Sequence, residues 1–188
     1  MNRLARWGFT PNVITVIAIA GSIVVGAAVS FAEERAALLL LLPAWLFARM
    51  ALNAIDGMMA RELDMASSLG AVLNELGDAL SDMGLYLPLA LVQEQAQWSV
   101  VAFSIGAVLT EFCGVLGRAL GASRRYDGPM GKSDRAFIVG ALGLATFAFP
   151  GLYKLWPWIF GIAALLTVVT CWNRVSRALE ELQAEGGN

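Results

Sequence analysis

The sequence predicts an all-α, polytopic membrane protein: a helical bundle of six transmembrane helices, preceded by a short interfacial helix at the N-terminus. The 188 residues are 58% hydrophobic and 15% charged, against about 45–50% and about 25% in soluble domains. Six apolar runs approach or exceed the roughly 18–20 residues that cross a bilayer as a helix. One soluble core that enclosed all six runs would leave almost no polar exterior, which argues against a soluble protein.

The helices are predicted in order along one domain that covers residues 1–188, with no internal repeat. Thr10 suits the N-cap of the first span, and Pro11 suits its first helical position, where a missing N–H costs nothing. The polar C-terminal tail is expected to fray. The interfacial helix is predicted from apolar and basic residues mixed before the first span: Arg3, Leu4, Arg6, Trp7 and Phe9. The six spans are predicted at residues 12–32, 36–60, 68–92, 98–120, 134–151 and 155–174.

The first apolar run could instead belong to a secretory signal, but it is longer than the usual apolar region of about 7–15 residues, and further spans follow it.

Basic residues predict the orientation, because eleven of the thirteen Lys and Arg residues fall on one side of the spans. Only Arg35 and Lys154 fall on the other. The positive-inside rule therefore places both termini in the cytoplasm.

Acid–base chemistry in this chain must rest on carboxylates, because the sequence contains no histidine. The two cysteines, Cys113 and Cys171, lie inside apolar runs without metal-ligand spacing. They predict small packing residues rather than a disulfide or a metal site.

Polar residues form a stripe on each of the second and third predicted helices. At 100° per residue, a strip about 60° wide on the second helix contains Arg49, Asn53, Asp56 and Ala60. A short connection joins the two helices, so the stripes can face each other near the cytoplasmic side. Ionisable residues inside a membrane usually mark a functional site. The alternative is close helix packing, with carboxylates neutralised by Arg49 and Arg61. The stripe on the third helix consists of Gly70, Asn74, Glu75, Asp78, Ser81 and Asp82.

Opposed carboxylates with amide oxygens beside them make the hard oxygen environment that Mg²⁺, Mn²⁺ or Ca²⁺ prefers. A basic rim lies beyond them, and cations beside such a cluster suggest a ligand that carries phosphate. Part of this rim, Arg124 and Arg125, would equally suit a positive-inside loop that touches anionic lipid headgroups. The rim contains Arg118, near Glu111 on the fourth span, and the later residues Arg124, Arg125, Lys132 and Arg135.

The segment "NAIDGMMARELDMASSLGAVLNELGD" resembles the signature of the CDP-alcohol phosphatidyltransferases. In that signature an aspartate is followed at fixed intervals by Asp-Gly, Ala-Arg, Gly and two further aspartates. Asp56-Gly57, Ala60-Arg61, Gly70 and Asp78 stand at the required intervals. The initial Thr-Pro-Asn, the six spans and the basic fourth connection extend the resemblance over nearly the whole chain. Within the family, the chain resembles bacterial inner-membrane members in which two motif aspartates are asparagines.

The resemblance implies a reaction of phospholipid biosynthesis. A hydroxyl of an alcohol acceptor attacks the β-phosphorus of a CDP-linked lipid donor and releases CMP. Asp78 would be the general base, and Mg²⁺ or Mn²⁺ would be the cofactor. The expected partners are these substrates, the lipid bilayer and a second copy in a homodimer, with no nucleic acid. The implied residues are Asn53, Asp56, Asn74 and Asp78 for metal, Gly57, Ala60, Arg61 and Gly70 for the nucleotide, and Arg118, Lys132 and Arg135 for the acceptor or its phosphate.

Two departures weaken the implied metal site. Asn53 and Asn74 stand where the signature has aspartates, so the formal charge of the four ligands falls from −4 to −2. A single ion could remain, and Glu75 and Asp82 could supply the missing charge. Three functions stay open: an active transferase, a catalytically weak or inactive protein that binds the CDP-lipid, and a transporter or proton relay. The transporter suits carboxylates spread across the membrane depth, whereas these cluster near one face.

Overall fold

The computed structural model describes Arg6 and residues 8–186. These residues form six long α-helices, which we number in chain order, and no strand. The predicted interfacial helix lies outside the described residues except for Arg6, Gly8 and Phe9. The helices are α1 (Pro11–Val29), α2 (Leu41–Glu62), α3 (Ser68–Tyr86), α4 (Gln97–Ala119), α5 (Lys132–Ala148) and α6 (Trp156–Gly186).

Local sequence explains where the helices begin. The side chain of Thr10 accepts a hydrogen bond from the N–H of Val13 and caps α1, as predicted. Ser67 caps α3 in the same way through the N–H of Gly70. Between α2 and α3, Asp64 adopts a φ of 51°, a left-handed conformation that Asp tolerates better than most residues. This short connection reverses the chain between α2 and α3. Both helices pack against α1, and polar side chains such as Arg49 and Asp82 join them to each other.

Not all six helices qualify equally as membrane spans. The α3 helix carries three carboxylates within 19 residues, and α5 is only 17 residues long. Six apolar spans were predicted, and four helical stretches of the described chain are long and apolar enough to cross a membrane. Long, apolar stretches that could cross a membrane by length and composition are Pro11–Val29, Ala36–Glu62, Glu94–Ala119 and Pro150–Ala184.

The C-terminal helix is longer than expected. The span predicted at 155–174 is part of one continuous α-helix of 31 residues, Trp156–Gly186. Glu181, in the part of the chain that was expected to fray, accepts hydrogen bonds from the backbone N–H and the hydroxyl of Ser123, at 2.9 Å each. It also forms an ion pair with Arg125. These contacts attach the end of α6 to the α4–α5 connection, which sequence periodicity did not reveal.

The bundle buries its core away from the polar stripes. Four aromatic rings contact one another in sequence there, with centroids 5.3–5.5 Å apart and planes tilted by 43–69°: Tyr86, Phe103, Phe160 and Trp156. Large apolar side chains on the outside, such as Phe47, Trp98 and Trp172, are more than 70% exposed. A belt of this kind is typical of a lipid-facing surface.

The contact between α1 and α3 depends on glycine. A Cβ added at Gly26 would lie 1.9 Å from the carbonyl oxygen of Gly84, so the two backbones pass too closely for a side chain. We expect Gly26→Ala to destabilise the protein by about 3 kcal/mol, the upper end of overpacking costs. A lower midpoint of thermal unfolding in detergent would show this. Gly161→Ala is the matched control, because its Cβ would meet nothing within 4 Å; equal midpoints for both variants would contradict the prediction.

Candidate functional site

One end of the bundle contains a cavity of about 700 Å³. Its walls come from the start of α1, the end of α2, the start of α3 and the segment that leads into α5, with one residue each from α4 and α6. Every residue of the α2–α3 motif that was predicted for metal or nucleotide lines this cavity: Asn53, Asp56, Gly57, Ala60, Arg61, Gly70, Asn74 and Asp78. The two polar stripes therefore face each other, as the sequence analysis predicted.

Asp56 is held on the α2 side of the cavity. It is 5% exposed, and the hydroxyl of Thr15 on α1 donates a hydrogen bond of 2.8 Å to its Oδ2. Thr15 is itself buried and lines the cavity. The sequence analysis missed Thr15, because one threonine in an apolar helix gives no periodic signal.

Asp78 meets three nitrogen donors. The ammonium of Lys132, at the start of α5, forms an ion pair with its Oδ1. The Nδ2 of Asn53 donates to the same oxygen at 3.4 Å, and Nη2 of Arg49 lies 3.7 Å from it. The side chain of Asp78 keeps 12% exposure toward the cavity. It is thus the carboxylate where α2, α3 and α5 meet.

A buried ion network lies deeper in the bundle than Asp78. Arg49 donates to Asp82 at 2.5 Å. Arg135, which is fully buried, donates from Nε to Asp82 at 3.0 Å and from Nη2 to Glu111 at 2.7 Å. Its Nη1 donates to the hydroxyl of Thr110 at 2.7 Å and to a backbone carbonyl. This network joins α2, α3, α4 and α5 through charge-assisted hydrogen bonds.

Two residues that the resemblance implied for the acceptor lie outside the cavity wall. Arg118 is exposed and does not line the cavity, and Arg135 is committed to the buried network. The two carboxylates considered as replacements for metal ligands are also engaged. Glu75 forms an ion pair with Arg124, and Asp82 pairs with Arg49 and Arg135.

Four cations line the described part of the cavity wall: Arg61, Arg124, Lys132 and Arg174. Arg124 also lies over the ring of Tyr126, 4.9 Å from its centroid. Arg174 is 1% exposed and donates to the backbone carbonyl of Thr110. The sequence analysis used Arg174 only for orientation. Its position at the end of a long apolar run was the one feature of the sequence that could have marked it as a residue of the cavity.

The side chains around the cavity include oxygen donors of the kind that hard divalent ions prefer. Within the described ranges, no group of three or more His, Cys, Asp or Glu residues is placed to hold a metal. Asp56 and Asp78 supply two carboxylates to the same cavity, and Asn53 and Asn74 add amide oxygens. Such an oxygen-only set suits Mg²⁺ or Mn²⁺, with less charge than four carboxylates would supply.

Comparison with known proteins decides the family. A sequence profile of the CDP-alcohol phosphatidyltransferase family matches residues 9–172. The chain belongs to this family. Members are transferases, and the four long apolar helices agree with a multi-pass membrane protein. The chain is 44% identical, over 170 residues, to the inner membrane protein YnbA of Escherichia coli K12, covering 90% of this chain and 84% of that protein.

Phosphatidylinositol phosphate synthases are also similar. That of Streptomyces avermitilis is 26% identical over 96% of this chain and 78% of its own length. The crystal structure of the Mycobacterium tuberculosis enzyme with CDP-DAG bound has a TM-score of 0.79 at 20% identity, covering 94% of this chain and 90% of that chain. Its complex with manganese and citrate has the same TM-score at 21% identity, covering 95% and 86%. At these identities the crystal structures support the fold alone.

Proposed function

We propose that this protein transfers a phosphatidyl, or related phospho-alcohol, group from a CDP-linked lipid to an alcohol acceptor and releases CMP. The observation that carries the proposal is the opposed pair Asp56 and Asp78 in one cavity with the small residues of the motif. A Cβ at Gly57 would meet nothing closer than Arg61, at 3.7 Å, so the backbone there is open to a ligand. Gly57, Ala60, Gly70 and Arg61 would bind the nucleotide.

Asp78 is the proposed general base. It would take the proton of the acceptor hydroxyl as that oxygen attacks the β-phosphorus, and the bond between this phosphorus and the oxygen of CMP would break. Lys132 holds the Asp78 carboxylate at the cavity wall, and its ammonium can also approach the transferred phosphate. Asn53, Asp56, Asn74 and Asp78 would hold one Mg²⁺ or Mn²⁺. That ion would neutralise pyrophosphate charge and improve the leaving group.

The membrane placement supports the same reaction. All residues that line the cavity lie at one end of the bundle, so a donor anchored in one leaflet can present its headgroup there. We propose that this end is cytoplasmic, with both termini on that side and with α3 and α5 also crossing the inner membrane. The polar side chains of α3 point into the bundle, where Arg49 and Arg135 neutralise Asp82. A single domain over 1–188 and a homodimer remain predictions.

Purified protein in detergent is expected to release CMP from CDP-diacylglycerol when Mg²⁺ or Mn²⁺ and a suitable alcohol are present. A panel of alcohols, with CMP quantified by chromatography, tests this. A second candidate is binding of the CDP-lipid without turnover, which the amides Asn53 and Asn74 favour because they lower the charge available to the metal. Measurable binding of CDP-diacylglycerol with no CMP from any alcohol would support that candidate and contradict transfer.

Asn53 and Asn74 also predict that the site binds its metal weakly, and that aspartates at both positions would raise the affinity. The double variant Asn53→Asp, Asn74→Asp is expected to bind Mn²⁺ about tenfold more tightly or better, because two carboxylates replace two amides. Electron paramagnetic resonance of free Mn²⁺ during a titration measures this without substrate. Equal affinity in variant and wild type would contradict the assignment of these residues to the metal. A gain in CMP release would show that the amides limit activity, and a loss would show a site adapted to them.

A further inference from the structure

The cavity has a second end, away from the α2–α3 motif residues that we assign to the nucleotide. It is formed where α4 and α6 meet the connection that leads into α5. Three cations line it, Arg124, Lys132 and Arg174, and Arg135 lies buried behind them. A cluster of this kind ordinarily suits an anionic group such as phosphate.

A buried carboxylate changes that expectation. Glu111 is 5% exposed and lines the cavity among these cations. Its oxygens lie 2.7 Å from Nη2 of Arg135, 3.3 Å from Nη2 of Arg124 and 3.7 Å from Nη1 of Arg174. One carboxylate therefore faces three guanidinium groups.

The remaining charges at this end are also paired. Arg124 forms a second ion pair with Glu75, and Lys132 pairs with Asp78. The described part of the cavity wall contains four carboxylates and four cations, so the formal charge of the lining is zero. The carboxylates are those of Asp56, Asp78, Glu111 and Asp134, and the cations are Arg61, Arg124, Lys132 and Arg174.

The zero formal charge of the cavity lining disfavours an acceptor that brings a phosphate group of its own beside the pyrophosphate of the donor. A phosphomonoester carries a charge of about −1.5 to −2 at neutral pH. To pair with the arginines it would have to displace Glu111, and a buried carboxylate that loses its partners is strongly unfavourable. A hydroxyl adds no charge, and it can accept hydrogen bonds from guanidinium N–H groups that stay paired with Glu111. The charge of one bound divalent ion is already needed for the pyrophosphate of the donor.

We propose that the acceptor is an uncharged polyhydroxy alcohol without a phosphate group, and that Glu111 is the residue that excludes phosphorylated acceptors. This inference rests on the proposed transfer reaction. It narrows the acceptor from any alcohol to one chemical class, and it assigns the selectivity to a residue outside the α2–α3 motif.

Matched acceptor pairs test the inference: glycerol against sn-glycerol 3-phosphate, and myo-inositol against myo-inositol 1-phosphate. With CDP-diacylglycerol, the unphosphorylated member of at least one pair is expected to have a kcat/KM higher by roughly tenfold or more. Glu111→Gln is expected to shift this ratio toward the phosphorylated member by roughly tenfold or more, because three arginines lose their shared counterion. Glu111→Asp keeps the charge and is expected to keep the preference. A wild-type preference for the phosphorylated members would overturn the inference.

Binding of a phosphorylated acceptor can be measured without turnover, so the inference about Glu111 can be tested even if the proposed transfer reaction fails. If no alcohol releases CMP, the transfer proposal fails, but phosphate exclusion can still be measured by thermal unfolding in detergent. Millimolar sn-glycerol 3-phosphate is expected to leave the wild-type midpoint at its value in glycerol, and to raise the midpoint of Glu111→Gln. A rise for the wild type with sn-glycerol 3-phosphate alone would overturn the inference. If Glu111→Gln does not fold, two measurements on the wild type test the inference. They are the kcat/KM ratio within each acceptor pair and the unfolding midpoint in sn-glycerol 3-phosphate against that in glycerol.

Discussion

Asp78→Asn is expected to lower CMP release by about three orders of magnitude, within the range of about 10²–10⁴ that general-base catalysis contributes. Asparagine has nearly the same size and can still accept from Asn53 and Lys132, but it cannot take the proton of the acceptor hydroxyl. Because Asp78 keeps 12% side-chain exposure at the cavity wall, the substitution should leave the fold intact. Initial rates of CMP release at saturating CDP-diacylglycerol measure the effect.

The matched control for this variant is Asp64→Asn. Asp64 is exposed in the α2–α3 connection, does not line the cavity and has a φ of 51°, which asparagine also tolerates. We expect this control to keep the wild-type rate. If Asp78→Asn kept most of its activity while binding CDP-diacylglycerol normally, Asp78 would not be the base.

Asp82→Asn is expected to reduce the stability of the protein by about 3 kcal/mol or more. Asp82 is 1% exposed and receives charge-assisted hydrogen bonds from Arg49 and Arg135. Neutralising it leaves two buried guanidinium groups with too little negative charge, and breaking a buried ion pair from one side costs about 3–5 kcal/mol. The expected observation is a clearly lower midpoint of thermal unfolding in detergent.

Asp127→Asn is the matched control for stability, because Asp127 is exposed in the α4–α5 connection. Its midpoint should stay near that of the wild type. Wild-type stability of Asp82→Asn, combined with a loss of metal binding, would instead identify Asp82 as a ligand. That result would revive the idea that Asp82 compensates for the missing aspartates.

The motif could be located from sequence because its information is local. Asn53 and Asp56 lie on one helix face and Asn74 and Asp78 on the next, and helical periodicity alone aligns each set. The short connection then reverses the chain, so that the two polar faces meet through side chains, as Asn53 and Asp78 do. The shared cavity wall confirms that alignment.

The roles of the more distant charges could not be derived in this way. Arg135 and Lys132 are three residues apart at the start of α5, yet the first is fully buried and the second lines the cavity. Which of them reaches a ligand depends on how α5 packs against α2. Arg118 was expected near the acceptor, but it is exposed and does not line the cavity. Composition predicts that cations gather at this end of the protein, but it does not predict their partners.

The sequence by itself determined the helical membrane architecture, the family and the opposed polar faces of α2 and α3, because hydropathy and helical period act over short stretches of chain. Only the tertiary structure decided the charge balance of the cavity. Glu111 on α4 meets Arg124, Arg135 and Arg174, which come from a connection, from α5 and from α6. Ion pairs between residues 13 to 63 positions apart are set by helix packing, and electrostatic energy depends on distances that no local pattern encodes.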